Sequence, residues 1–131
     1  MIIDSSALIA ILFDEPEAEL CAKAIEIASH RRLSAANFFE TAIVVDGRRD
    51  PIIRRRFDDL LREAAITIEP VDEDQVMIAR EAYRDYGRRS GHPARLNFGD
   101  CFAYALARRH GEPLLFKGND FAHTDITPAL A

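Results

Sequence analysis

Four acidic residues stand out because of their positions relative to the apolar runs of the chain. One follows the first apolar run, one follows the last, and two lie three residues after an asparagine near a predicted helix start. They are Asp4, Asp120, Glu40 and Asp100. Because ligands collect at the carboxyl ends of the strands in an open α/β sheet, these carboxylates are predicted to face one crevice.

Each acid also has a purely structural explanation when it is considered alone. An acid three residues after an asparagine is typical of a helix N-terminus, where it bonds back to the cap and complements the helix dipole by about 0.3–1 kcal/mol. Asp4 suits the N-cap of its own helix, and Asp120 suits a turn after Gly118 and Asn119. The prediction of a site therefore depends on all four acids reaching one end of one sheet.

Carboxylates gathered in this way repel one another and raise each other's pKa unless a cation is present. Mg²⁺ takes oxygen ligands from carboxylates, waters and phosphates, and Mn²⁺ accepts the same donors. A bound divalent ion activates a water and offsets negative charge during phosphoryl displacement. No histidine or cysteine has metal-ligand spacing, so the sequence favours Mg²⁺ or Mn²⁺ over Zn²⁺.

The composition indicates an ordinary globular protein. The chain has 131 residues, of which 48% are hydrophobic and 30% charged, and this predicts a single domain over residues 1–131. Residues 7–13 are too short an apolar run to cross a membrane, and no signal peptide precedes them, which favours a cytoplasmic protein. Cys21 and Cys101 are isolated, so two buried thiols are expected rather than a disulfide.

Strands and helices alternate along the sequence. Short apolar or β-branched runs predict strands at residues 2–3, 33–35, 66–68, 114–116 and 126–127. Helical spacing and cap residues predict helices at residues 7–12, 16–28, 37–47, 50–61, 72–83 and 98–109. Glycine, proline and arginine make residues 87–95 an exposed loop. This order predicts an α/β fold with a parallel sheet covered by helices on both faces.

Four segments of the chain resemble the four motifs of PIN-domain toxins, the VapC-like ribonucleases of type II toxin–antitoxin systems. They are residues 1–10, 37–40, 97–105 and 117–121. The resemblance covers the whole chain in order, and the third segment is the most specific. It implies a three-layer α/β/α sandwich with a central parallel sheet.

The resemblance also implies a role for each acid. It makes Asp4 and Asp100 the main metal ligands, Glu40 a direct or water-mediated ligand, and Asp120 the residue that positions metal or the attacking water. Two further residues have supporting roles by the same resemblance, namely Ser6, whose hydroxyl points toward such a site, and Asn119, the alternative to Asp120. Ser6 has an equally good explanation as a helix-capping hydroxyl.

The implied activity is metal-dependent cleavage of RNA with Mg²⁺, or Mn²⁺ as a substitute. The implied partners are the RNA substrate, a second copy of the chain in a homodimer, and a small antitoxin that completes a heterotetramer or larger assembly. The net charge of −5 argues weakly against RNA binding, but the arginines are clustered. Arg88, Arg89 and Arg95 immediately precede the Asp100 helix and are the predicted RNA contact, with a solvated loop as the alternative.

Three other functions fit the sequence less well. A phosphatase that uses Asp4 as a nucleophile needs a second acid two residues later, where the chain has Ser6. A receiver domain of a signalling relay would use Asp4 and Lys117, but it needs an acid pair at the first strand and an aspartate after the third. A PIN-like domain that only binds partners is disfavoured because all four acids are present.

Overall fold

The computed structural model describes residues 1–130. The strands are β1 (Ile2–Ile3), β2 (Arg32–Ser34), β3 (Thr67–Glu69) and β4 (Leu114–Leu115). The helices are α1 (Ser5–Leu12), α2 (Ala18–Ile27), α3 (Ala35–Gly47), α4 (Pro51–Glu63), α5 (Glu73–Tyr86) and α6 (Phe98–His110), followed by a 3₁₀ turn at Phe121–His123.

The four strands of the described chain form one parallel sheet in the order β3-β2-β1-β4. Ile2 pairs with Arg32 on one side and with Leu114 on the other, so β1 lies inside the sheet. Ile2 and Ile3 are both fully buried. A run that is apolar on both faces is typical of a central parallel strand, and the predicted parallel α/β sheet is confirmed.

Helices cover both faces of this sheet. Ile2 packs in a core with Ala103 and Leu106 of α6, which lies beside α5. Ile3 packs in a second core with Leu8 of α1 and Val45 of α3. Because neighbouring residues of a strand point to opposite faces, β1 separates the two cores. The predicted three-layer α/β/α sandwich is confirmed.

Two predicted boundaries at the start of helices were wrong. The helix predicted from Asn37 begins at Ala35, because the Ser34 hydroxyl accepts a hydrogen bond from the Ala36 amide and acts as the N-cap. The helix predicted from Pro16 begins at Ala18, and Pro16 lies in the preceding turn. In both cases the pattern located the helix and misplaced its first turn.

The predicted strand at residues 126–127 is also absent from the described chain. Its place is taken by a single parallel bridge between Leu114 and Pro128. The Leu114 amide donates to the Thr127 carbonyl, and the Ala129 amide donates to the Leu114 carbonyl. The Pro128 amide nitrogen takes no part in this bridge, so proline is compatible with it.

Two expectations from composition can be compared with the fold. Cys21 and Cys101 are both buried and unbonded to each other, which confirms two buried thiols. Among residues 1–130, every helix is too short or too polar to cross a lipid bilayer.

Candidate active site

Asp4 directly follows the central strand β1 and is almost completely buried, with 4% of its surface exposed. Its carboxylate oxygen Oδ2 accepts hydrogen bonds from the Ser6 amide at 3.0 Å and from the Ser6 hydroxyl at 2.6 Å. Asp4 therefore acts as the N-cap of α1, as its structural explanation predicted. The cap also holds the carboxylate at the carboxyl end of the sheet.

Glu40 lies in the second turn of α3 and reaches toward α1 and α6. Its Oε1 accepts hydrogen bonds from the Ser5 hydroxyl at 2.6 Å and from the Asn37 side-chain amide at 3.3 Å. The same amide group of Asn37 donates to the Gly99 carbonyl at 3.0 Å. The predicted pairing of Asn37 as cap with Glu40 as capping acid was therefore wrong, because Asn37 is a buried link between α3 and α6.

Asp100 lies in the first turn of α6 and forms a capping box with Asn97. The Asn97 side chain accepts a hydrogen bond from the Asp100 amide at 2.8 Å, and Asp100 Oδ2 accepts one from the Asn97 amide at 2.9 Å. The other oxygen, Oδ1, has no hydrogen-bond partner among residues 1–130. The capping role predicted for Asp100 is thus real, and it leaves one oxygen available for a ligand.

Burial and mutual repulsion act on these acids together. Burial raises the pKa of Asp4 to about 6, and the charge of Glu40 adds to this while hydrogen bonds from Ser6 oppose it. Burial raises the pKa of Asp100 to about 7, although the hydrogen bond from the Asn97 amide lowers it. The charges of Asp4, Asp120 and Glu40 all add to the rise at Asp100. The fold thus brings the four predicted acids within electrostatic reach of one another.

Asp120 is the exposed member of the group. It lies after β4 at the start of the 3₁₀ turn, where its side chain makes no capping hydrogen bond. Asn119 beside it is also exposed. The loop that carries both residues is tied to α1, because the Ser6 hydroxyl accepts a hydrogen bond from the Lys117 amide at 2.9 Å. Ser6 therefore contacts both Asp4 and this loop.

Comparison with known proteins identifies the family of the chain. The family model described as PIN domain matches residues 1–126 of the chain. The chain belongs to the PIN-domain family. The resemblance inferred from the four sequence segments is confirmed.

Relatives of this PIN domain include ribonuclease VapC28 of Mycobacterium tuberculosis. The two sequences are 57% identical over 130 residues, which cover 99% of this chain and 98% of the relative. The crystal structure of M. tuberculosis VapC20, described as a sarcin–ricin loop cleaving toxin, has a TM-score of 0.76 at 16% identity, with 96% of this chain and 95% of that chain covered. A chain of a toxin–antitoxin complex from Klebsiella pneumoniae has a TM-score of 0.69 at 20% identity, with 92% and 89% covered.

The donor set of this PIN domain suits a hard divalent cation in its chemistry. All four groups are carboxylates, and burial, with a smaller contribution from neighbouring carboxylates, raises the pKa values of Asp4 and Asp100. Within residues 1–130, however, no three acidic, histidine or cysteine side chains converge closely enough to hold a metal as they stand. Glu40 is turned toward Ser5 and Asn37, so its side chain would rotate to reach a shared cation.

Two residues that support the acids were missed from the sequence. Ser5 is buried and donates to Glu40, although its neighbour Ser6 was the serine that the resemblance singled out. Gly99 is packed so tightly against Glu40 that a Cβ built on it would lie 2.0 Å from Oε2. A glycine in the first turn of a helix, directly before an acid, is the sequence signal that could have indicated this close approach.

The predicted arginine loop is exposed at all three of its arginines. Arg88 and Arg89 line a groove between α5 and α6 that also includes Asn97, the cap of the Asp100 helix. Arg95 is exposed with a positive φ of 52° and does not line this groove. The structure therefore places two of the three predicted arginines beside the first turn of α6.

Lys117 bears on the receiver-domain reading. Its ammonium group pairs with Glu15 at 2.9 Å and lies 3.6 Å from Glu17. A receiver would direct this lysine at the acid after β1, which is Asp4. Its ion pairs with Glu15 and Glu17, which lie between α1 and α2, direct Lys117 elsewhere. The fold therefore gives no support to a receiver domain.

Proposed function

We propose that the chain is a metal-dependent endoribonuclease and the toxin of a type II toxin–antitoxin pair. The observation that carries the proposal is the group of four carboxylates at one end of the sheet, where Asp4, Glu40 and Asp120 all raise the pKa of Asp100. Support comes from the PIN-domain membership and from relatives named as VapC ribonucleases at 57% identity.

In this proposal Asp4 and Asp100 hold Mg²⁺ or Mn²⁺. Burial raises the pKa of both carboxyl groups, so metal binding would compete with their protonation. When bound, the metal supplies a water of lowered pKa and positive charge near the phosphate under attack. The hydrogen bonds from Ser6 and Asn97 keep the two carboxylates oriented toward the crevice.

Glu40 and Asp120 take complementary positions. Glu40 is held at the inner side of the crevice by Ser5 and Asn37, and it would reach the metal through a bridging water or, after rotation of its side chain, directly. Asp120 is exposed at the outer side, where it orients metal or the attacking water, with Asn119 as the alternative. The product of hydrolysis in this arrangement carries a 5′-phosphate.

We also propose an antitoxin and a second copy of the chain as partners. The structural likeness to a chain of the Klebsiella pneumoniae toxin–antitoxin complex supports the antitoxin. Two apolar side chains on α3 are available for contact with a partner protein, since Phe39 is 65% exposed and Ile43 is 58% exposed. Assemblies with antitoxin would then be heterotetramers or larger.

The test is cleavage of a mixture of structured RNAs by the purified protein with Mg²⁺, with Mn²⁺ or with EDTA, beside Asp100→Asn. The expected result is cleavage that needs metal and is lost in the variant. Cleavage by Asp100→Asn at the wild-type rate, or cleavage that EDTA leaves unchanged, would contradict the proposal. A domain that cleaves none of these RNAs but captures an antitoxin would support a binding-only role instead.

A further inference from the structure

The groove between α5 and α6 has features that the acidic site does not use. It encloses about 740 Å³. Its walls are the side chains of Val76 and Tyr83 on α5 and of Phe98 and Phe102 on α6, and Arg88 and Arg89 lie at one end. A volume of this size falls in the range of pockets that hold small organic groups.

An aromatic ring is exposed at the rim of the groove. Phe98 has 79% of its surface exposed, the largest exposed fraction among the large apolar side chains of residues 1–130. The ring of Phe102 packs edge-on against it, with 5.0 Å between centroids and an interplanar angle of 80°. This support fixes the orientation of Phe98 while leaving its ring accessible. An exposed, supported ring suits stacking against the flat face of a nucleobase.

The positive charges of the groove are not neutralised by the protein. Arg80, Arg88 and Arg89 all line it and are exposed, and none pairs with a carboxylate among residues 1–130. Six other exposed arginines of residues 1–130 do form such pairs, whereas Arg48, Arg49, Arg55 and Arg95 do not; the paired ones are Arg54, Arg56, Arg62, Arg84, Arg108 and Arg109. In a chain of net charge −5, three unpaired guanidinium groups beside an aromatic ring suit an anionic ligand with π faces.

The groove lies next to the first turn of α6, which carries Asp100. Asn97 lines the groove and forms the capping box with Asp100, so both features share the first turn of α6. A nucleotide bound in the groove therefore lies against the same helix turn that positions the Asp100 carboxylate. A second copy of the protein across a two-fold axis is less suited to this surface, because it would bring the same arginines face to face.

We propose that this groove binds an unpaired nucleotide of the substrate next to the bond that is cut, with its base stacked on Phe98 and the flanking phosphates on Arg88 and Arg89. The proposal rests on the ribonuclease function proposed above and specifies its substrate as single-stranded or looped RNA. Bases inside an intact duplex are stacked on their neighbours and cannot enter the groove.

The test is equilibrium binding, measured by fluorescence anisotropy, of a labelled single-stranded RNA oligonucleotide and of the same sequence as a duplex. The protein carries Asp4→Asn and Asp100→Asn, so that neither cleavage nor repulsion from these carboxylates affects binding. Phe98→Ala is expected to weaken single-strand binding roughly 5- to 150-fold. Arg88→Ala with Arg89→Ala is expected to lower the slope of log affinity against log salt by about 1.4.

Matched controls are Ile52→Ala, an apolar side chain that is 70% exposed, and Arg55→Ala, an exposed arginine of α4 that does not line the groove. Both are expected to leave binding unchanged. Equal affinity for duplex and single strand, or unchanged binding in Phe98→Ala, would overturn the groove proposal while leaving the ribonuclease proposal to its own cleavage test. A shift from dimer to monomer in Phe98→Ala by size-exclusion chromatography, without loss of RNA binding, would identify the groove as a protein interface and overturn it as well.

Discussion

The carboxylate of Glu40 occupies the space in which a side chain on residue 99 would begin. A Cβ built on Gly99 lies 2.0 Å from Glu40 Oε2, far inside any real contact distance. The approach joins α3 to α6 and brings Glu40 next to the residue that precedes Asp100. Glycine at position 99 is therefore a condition for the observed position of the second acid.

Gly99→Ala is expected to push the Glu40 carboxylate away from Ser5. The free energy of unfolding should fall by only about 1 kcal/mol, because the displaced group is the end of a flexible side chain that loses hydrogen bonds. RNA cleavage should fall roughly 10- to 100-fold, because a ligand or water position is lost. Urea unfolding and cleavage rates measure the two effects.

Gly47→Ala is the control for this substitution. Gly47 ends α3, and a Cβ there meets no atom within 4 Å. The free energy of unfolding of the Gly47→Ala variant should stay unchanged or rise by up to about 1 kcal/mol, and its cleavage rate should equal that of the wild type. Full activity in Gly99→Ala would show that the position of Glu40 is unimportant for cleavage.

Asp4→Asn and Asp100→Asn are each expected to abolish RNA cleavage while the fold remains intact. Asparagine keeps an oxygen that accepts the capping hydrogen bonds, so α1 and α6 retain their N-caps. It lacks the negative charge with which a carboxylate attracts a divalent cation. Circular dichroism checks the fold and gel-resolved RNA cleavage checks activity. Full activity in either variant would show that the substituted aspartate is not needed for cleavage.

The stability of the metal-free protein should depend on the charge of Asp100. The pKa of this group rises from 3.8 to about 7 in the folded protein, so folding favours its protonated form. The stability that this provides is complete below about pH 4 and is lost as the pH rises through 7. Asp100→Asn avoids the loss, and at about pH 8 it should be more stable than the wild type by about 1–2 kcal/mol, after allowance for partial solvent screening.

Thermal unfolding in the presence of a chelator measures this difference. The melting temperature of Asp100→Asn should exceed that of the wild type by several degrees at about pH 8, and the gap should close at about pH 4. A gap that is the same at both pH values would mean that repulsion among the carboxylates is not its cause.

Ser6→Ala is expected to raise the pKa of Asp4, since both the hydroxyl and the amide of Ser6 lower it. Only the amide remains in the variant. The acidic limb of the pH dependence of kcat/KM should therefore shift to higher pH, because Asp4 must be deprotonated to bind metal. Ser29→Ala, an exposed serine at the end of α2, provides the control. An unshifted acidic limb would show that the Ser6 hydroxyl does not tune Asp4.

The elements with strong local signals could be predicted from the sequence. The helix α6 begins at the capping box of Asn97 and ends before Gly111, whose φ is 63°, as the pattern indicated. β1 was predicted because two buried isoleucines precede an acid. In these places local chemistry and tertiary packing favour the same structure.

The remaining features depend on contacts between distant residues. Ser34 and Asn37 are both suitable helix caps, and only the burial of Asn37 between α3 and Gly99 decides that Ser34 takes this role. The bond from Ser5 to Glu40 joins residues that are 35 positions apart. Sequence patterns report local preference and cannot show such pairs. For the same reason, the groove of Phe98 and Arg88 became visible only once α5 and α6 were placed side by side.

The most direct test of the metal site is calorimetric titration of the protein with Mn²⁺ in buffers of different ionisation enthalpy at about pH 6.5. Saturable binding is expected, with release of protons, because Asp4 and Asp100 are partly protonated there with pKa values of about 6 and 7. Asp4→Asn and Asp100→Asn should each weaken binding at least about tenfold and reduce proton release. The exposed control Asp58→Asn should match the wild type. Binding that both site variants leave unchanged, or the absence of any Mn²⁺ binding, would contradict a divalent-metal site built from these carboxylates.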